Sequence, residues 1–247
     1  MNGEIGLASR LTIAAKNAVK GGPCEFARLP YENSITFIME DGTELPSADE
    51  WLNWLVEDGN PTIFMFMPHE VKDRRVLGFP NTSNCIIYVR RTHKQVSSFT
   101  PHWDFDKENG VWNITITQRI MNQAPKNLPT FADNSEALAK ALDGMEKFAE
   151  ELGFPTFRDC FAASLALLEG SYFPTELIEK MQLPEMDKDK LKIYLACVMS
   201  DVFGGTGSWN DSPEIAANEK GLLEKYNTMS GVFLSINRLN LMYAVNN

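Results

Sequence analysis

Residues 111–153 read VWNITITQRIMNQAPKNLPTFADNSEALAKALDGMEKFAEELG, and the period of the apolar positions changes within them. From Val111 to Ile120 the chain alternates. Trp112, Ile114, Ile116 and Gln118 fall on one side, Val111, Asn113, Thr115 and Thr117 on the other. A strand with one apolar and one partly polar face belongs in a half-buried antiparallel sheet. Beyond Asn122–Thr130, which carries Pro125 and Pro129, apolar residues recur at helical spacing: Ala137, Leu138, Ala141, Leu142, Met145, Phe148, Ala149 and Leu152. Asn134 or Ser135 opens this helix and Gly153 closes it. The change from strands to helices therefore falls at 122–130.

Towards the N-terminus, Asp106-Lys107-Glu108-Asn109-Gly110 ends in Asn-Gly, the strongest short-range hairpin signal, so HWDF (residues 102–105) should pair with VWNITIT (residues 111–117). Strands are expected at Ile35–Met39, Thr62–Met67, Cys85–Arg91 and Gln95–Phe99, the last two separated by Thr92-His93-Lys94. Between the first two lies a helix, started by Ser47 and Glu50 at capping-box spacing, with Trp51, Trp54 and Leu55 on one face. The opening segment, with Ile5, Leu11, Ile13 and Val19 interleaved with Lys16 and Lys20, predicts an amphipathic helix rather than a secretory leader. Towards the C-terminus, helices are expected at Thr156–Glu169, Thr175–Met181, Asp187–Phe203 and Glu219–Tyr243. Strands first and helices second predict an α+β fold: a mainly antiparallel sheet in residues 1–121, a helical region in 131–247 packed on it, and one compact body joined at 122–130.

At 247 residues and 44% hydrophobic, the chain can bury a core without staples. Cys24, Cys85, Cys160 and Cys197 show no CxxC spacing, and three of them sit in apolar runs, which predicts buried free thiols in a reducing compartment. No apolar run approaches the roughly 18 residues of a membrane span. The expected address is the cytosol. The net charge of −10 argues against a nucleic-acid partner and for a neutral or basic protein partner. The charge is uneven: residues 1–120 hold 12 basic and 15 acidic side chains, residues 121–247 hold 11 and 18.

Three candidate sites stand out. The first is Gly204-Gly205-Thr206-Gly207-Ser208-Trp209-Asn210-Asp211, where three glycines permit positive φ and close backbone approach. It matches no phosphate-loop pattern, lacks lysine, and starts at a helix C-terminus, which repels phosphate. The plain structural reading is a tight loop whose Trp209 plugs the core and whose Asn210 or Asp211 caps the next segment. The functional reading is a binding loop made of Gly204, Gly205, Gly207, Ser208, Trp209, Asn210 and Asp211. The second is His102 and Asp104, on one face of a strand with Asp106, as candidate acid–base residues. No metal site and no cofactor are expected, since only His69 and His93 remain as further histidines. The third is a basic cluster, Arg74, Arg75, Arg90 and Arg91, which would receive an anion if the loop at 70–75 folded over the strand at 85–91. Trp51, Trp54, Trp103 and Trp112 are read as core.

A helix running into FGGxGSWND, followed by a long closing helix, resembles the C-terminal part of small uncharacterised bacterial proteins, some associated with toxin-immunity neighbourhoods. The matching segment is Phe203–Asp211, and Thr206 departs from the methionine usual at that position. The resemblance implies no catalytic residue. It favours a non-catalytic protein-binding module such as a toxin-immunity protein, with the acidic residues Glu146, Glu150, Glu151, Asp187, Asp189 and Glu214 facing a basic partner. The opposing expectation is an enzyme on a small anionic substrate, binding through the arginines and acting through His102 and Asp104.

Overall fold

A computed structural model describes residues 3–57, 59–91, 95–121 and 129–247. Its elements are α1 (Gly3–Val19), β1 (Glu32–Ile38), β2 (Glu44–Leu45), α2 (Ala48–Glu57), β3 (Thr62–Phe66), a 3₁₀ helix (Arg74–Gly78), β4 (Ile86–Arg90), β5 (Val96–Asp106) and β6 (Val111–Met121). Six helices follow: α3 (Ser135–Leu152), α4 (Pro155–Leu168), α5 (Thr175–Met181), α6 (Lys188–Met199), α7 (Ser212–Glu219) and α8 (Leu223–Asn246). The fold is α+β, with strands gathered in the first half and helices in the second. Most of the expected linker at 122–130, and Thr92-His93-Lys94, lie outside the described residues.

The strands form one sheet in the order β2-β1-β6-β5-β4-β3. All neighbours are antiparallel except β1 and β6, which run parallel, so the sheet is mixed. The hairpin pairs as its sequence implies: Trp103 lies opposite Ile114 and Phe105 opposite Trp112. Asp106 accepts hydrogen bonds from the amides of Glu108 and Asn109, and Gly110 takes φ +69° to complete the turn.

The segments at Gln95–Phe99 and His102–Phe105 are one strand, running through Pro101. Proline is tolerated there because β4 pairs with β5 only from Val96 to Phe99, leaving no ladder bond for Pro101 to lose on that side. Two asparagines cover the exposed edges. Asn81, at φ +61°, accepts from Trp103 N (2.8 Å) and donates to Trp103 O (3.0 Å). Asn246 of α8 does the same for Met65 of the edge strand β3, at 2.7 and 2.8 Å. Each side chain supplies the pair of bonds a neighbouring strand would make, and so blocks strand addition.

One face of the sheet, with Phe37, Ile87, Val89, Phe99, Ile114 and Ile116, is buried. Trp51 of α2 stacks on Phe37 at 4.7 Å and meets Phe99 edge-on. The other face presents Thr100, His102, Asp104, Thr115, Thr117 and Arg119 to solvent. The helical cover expected for the sheet is therefore one-sided.

Two expectations need correction. The first helix is not amphipathic: every residue from Glu4 to Ala15 is buried, because α1 packs against α2, α8 and strands β3 to β5 at once. Small residues (Gly6, Ala8, Ala14, Ala15, Ala18) allow this approach, and Ser9 and Thr12 satisfy their hydroxyls on the carbonyls of Ile5 and Ala8. The closing helix expected over Glu219–Tyr243 is α8, but a further helix that was not expected, α7, precedes it, separated from it at Gly221, which sits at φ +71°. Among the described residues, no helix is long and apolar enough to cross a membrane.

Lys16 of α1 donates to the carbonyls of Val245 and Asn246 near the end of α8. Burial, reinforced by Lys20 and Lys190, lowers its pKa from 10.5 to about 8. The unfolded chain therefore binds more protons between those values, so stability rises with pH across that window and falls as pH drops through about 8. With its residual solvent contact discounted, this contribution is about 1 kcal/mol. Urea titrations at pH 7.5 and pH 10 should show a difference of that size between wild type and Lys16→Met in how stability changes with pH. Equal changes in the two proteins would refute it.

Candidate functional site

The loop between α6 and α7 is built around Trp209. The indole is fully buried, meeting the rings of Phe148, Phe157 and Phe161 edge-on at 5.3–6.2 Å and stacking on Tyr226 at 5.8 Å. Its Nε1 donates to Ser230 Oγ (2.8 Å) and its carbonyl accepts from the Tyr226 hydroxyl (2.6 Å). Burial pushes the Tyr226 phenol up to about 12, so it remains a donor at ordinary pH. Ser208 Oγ donates to Gly204 O, and Asp211 accepts from Gly207 N at φ +79°. Asp211 stands at the start of α7 without capping it through its side chain, because its carboxylate is turned back into the loop. Asn210 donates to Arg74 O (3.0 Å), fastening the loop to the 3₁₀ helix.

That fastening brings two backbones into direct contact. A Cβ on Gly78 would stand 2.6 Å from both the N and Cα of Gly205, closer than real Cβ atoms come to anything. Gly204 and Gly205 thereby form one wall of a groove of about 490 Å³. The remaining walls come from Tyr31 before β1, Phe79 after the 3₁₀ helix, Trp103 of β5, Trp112 of β6 and Phe203. Phe79 is 65% and Tyr31 40% exposed, and Phe105 beside Trp112 is 43% exposed. Trp103 and Trp112 meet edge-on at 5.7 Å. The one charged side chain in the lining is Glu4, whose carboxylate accepts from the amides of Asn81 and Ser83. Trp103 Nε1 is buried and without a hydrogen-bond partner among the described residues.

The other candidates are placed differently. His102 and Asp104 share the open face of β5, as their spacing implies, opposite Thr115 and Asn113 and both exposed. The four arginines divide into two pairs with separate neighbours. Arg74 stacks on Tyr226 and donates to Asn227, and Arg75 pairs with Asp73. Arg90 lies opposite Thr62, and Arg91 covers the ring of Trp54 at 4.0 Å. The geometry required for one anion clamp, with the loop folded over the strand, is thus not what holds these side chains. Among the described residues no group of three or more His, Cys, Asp or Glu is placed to hold a metal ion. Of the acidic side chains on the helices, Glu150, Glu151, Asp187 and Asp189 are exposed, and Glu146 and Glu214 are half-buried.

No family model, curated protein or solved structure matches this chain. The groove is therefore read from its own chemistry. Trp103, read from the sequence as core, is buried there while also lining the groove, and Trp112 packs half-buried against the same core; Tyr31 and Phe79, which the sequence reading passed over, lie in irregular segments without periodicity. Their one signal was an aromatic beside proline, in Pro30-Tyr31 and Phe79-Pro80.

Proposed function

We propose that this chain is a non-catalytic protein-binding module whose partner docks on the aromatic groove beside the 204–211 loop. The observation that carries the reading is Phe79, a large aromatic 65% exposed at the mouth of a groove walled by further rings. Exposed aromatic clusters of this kind are where interfaces concentrate their binding energy. The net charge of −10 selects a basic partner. Immunity to a toxin is the concrete form favoured by the resemblance of Phe203–Asp211. The enzyme reading draws no support from the geometry, since His102 and Asp104 lie on an open sheet face and the arginines are divided.

The test is capture of the partner from the native host by tagged protein, identified by mass spectrometry. Phe79→Asp and Tyr31→Asp should lose that partner while keeping the wild-type melting temperature, and alanine at His102 or Arg90 should retain it. Retention of the same partner by both aspartate variants would overturn the proposal.

A further inference from the structure

We infer that the groove takes a proline-rich segment of the partner in the polyproline II conformation. This rests on the docking role proposed above and names the chemistry of the contact. Acceptors in the groove's walls are taken up from within the protein. The Glu4 carboxylate accepts from the amides of Asn81 and Ser83, and the Gly204 and Gly205 carbonyls accept from Ser208 Oγ and Ser208 N. The carbonyls of Tyr31, Phe79 and Trp103 accept from Trp112 N, Thr82 Oγ1 and Asn81 Nδ2. An ordinary extended segment would therefore carry its N–H groups out of water into walls whose acceptors are already engaged. Strand addition is closed as well, because Asn81 occupies both the N–H and the carbonyl of Trp103. Proline brings an apolar ring and no N–H, and polyproline II is a preformed conformation without internal hydrogen bonds. Grooves lined by aromatic rings are where such segments dock, and Phe79 and Tyr31 expose the ring faces for it.

The carbonyls of the segment remain acceptors, and the Tyr31 hydroxyl, on a residue 40% exposed, is a donor for one of them. Burial, reinforced by Glu32, raises the Tyr31 pKa, so the phenol stays protonated. No lysine or arginine lines the groove and its one carboxylate is engaged, so the part that enters is uncharged. The net charge of −10 favours basic residues on its flanks. An amphipathic helix also satisfies its own N–H groups, but two turns of it with side chains fill roughly 900 Å³. A groove of about 490 Å³ does not take it in, whereas a polyproline segment is narrow enough to enter.

The experiment titrates the full-length protein with short peptides, followed by calorimetry and tryptophan fluorescence. The first is an oligoproline flanked by arginines. In the second, central prolines become alanine; in the third, they become N-methylalanine, which also lacks the N–H. The fourth is an amphipathic helix rich in leucine. The oligoproline should bind at least about tenfold more tightly than the alanine peptide, the scale of burying an unmatched N–H. N-methylalanine should restore most of that loss. Phe79→Ala should weaken oligoproline binding by about fivefold or more, and Tyr31→Phe, which keeps the ring, by about threefold. Equal affinity for the oligoproline and alanine peptides, or tighter binding of the helix, would overturn the proline assignment and leave the docking role standing. Oligoproline binding unchanged in Phe79→Ala would place the peptide elsewhere and overturn it too. Absence of binding by every peptide, with partner capture still lost in Phe79→Asp, would have the same effect. Partner capture that survives Phe79→Asp and Tyr31→Asp would instead remove the docking role on which it rests.

Discussion

Replacing Trp209 with alanine is expected to lower the free energy of unfolding by about 4 kcal/mol, the scale of emptying a buried tryptophan site. Three phenylalanine rings and the Tyr226 ring would lose their common neighbour, and Ser230 would lose the donor that now meets its hydroxyl. Against a total stability of roughly 5–15 kcal/mol, that is a large share. Trp209→Phe should retain most of the ring packing and lose about 1–3 kcal/mol, chiefly the indole bond to Ser230. Thr206→Ala, at an exposed position of the same loop, should stay within about 0.5 kcal/mol of wild type. Urea denaturation of the three variants separates two roles for the loop. If its tryptophan served only as a contact for a partner, Trp209→Ala would melt with the wild type, and that result would refute the anchoring role. The expected pattern has the loop's indole holding α3, α4 and α8 together while its glycines shape the groove.

How much of this was legible follows from what each residue's neighbours in sequence can report. The alternation in Val111–Met121 records a sheet with one wet face, and the Asn-Gly turn fixed its partner, because both depend on residues within a hairpin. The capping spacing of Ser47 and Glu50 is realised as a bond from Glu50 N to Ser47 Oγ, again a local event. The loop's glycines were conspicuous, yet their purpose was hidden. The glycine that the close approach requires is Gly78, against which the Gly204-Gly205 backbone presses from more than a hundred residues later in the chain, and no local pattern announces that. The burial of α1 was illegible for the same reason. Arg10, Lys16 and Lys20 resemble a solvated stripe, whereas Arg10 reaches an acid supplied by β1. The groove was least legible of all, since its walls come from six separate segments and three of its rings, Tyr31, Phe79 and Phe203, stand outside helices and strands.

The second large effect is expected at Arg10 and Glu32, a pair 1% and 3% exposed whose groups meet beneath α1. Arg10 also donates to Ala27 O (2.8 Å) and lies over Phe26, and Glu32 accepts from Leu29 N (2.8 Å). Removing one partner strands the other charge away from water, so Arg10→Met should lose about 3–5 kcal/mol. Glu32→Leu should lose a similar amount. The double variant should be less unstable than the sum by about 1–3 kcal/mol, because no charge is left stranded. Arg10→Lys should fall between, since an ammonium cannot reach both Glu32 and the Ala27 carbonyl with a guanidinium's fork. Additive single and double variants would show that the pair is not coupled and that the losses come from packing alone. The consequence extends to the groove. Glu32 follows Tyr31 directly, and the Tyr31 carbonyl accepts from Trp112 N (2.8 Å), so the buried pair sets the position of one groove wall against another. Arg10→Lys, folded but loosened, should therefore weaken capture of the partner although Arg10 itself does not line the groove. Undiminished partner capture in that variant would separate the pair's structural role from the groove's.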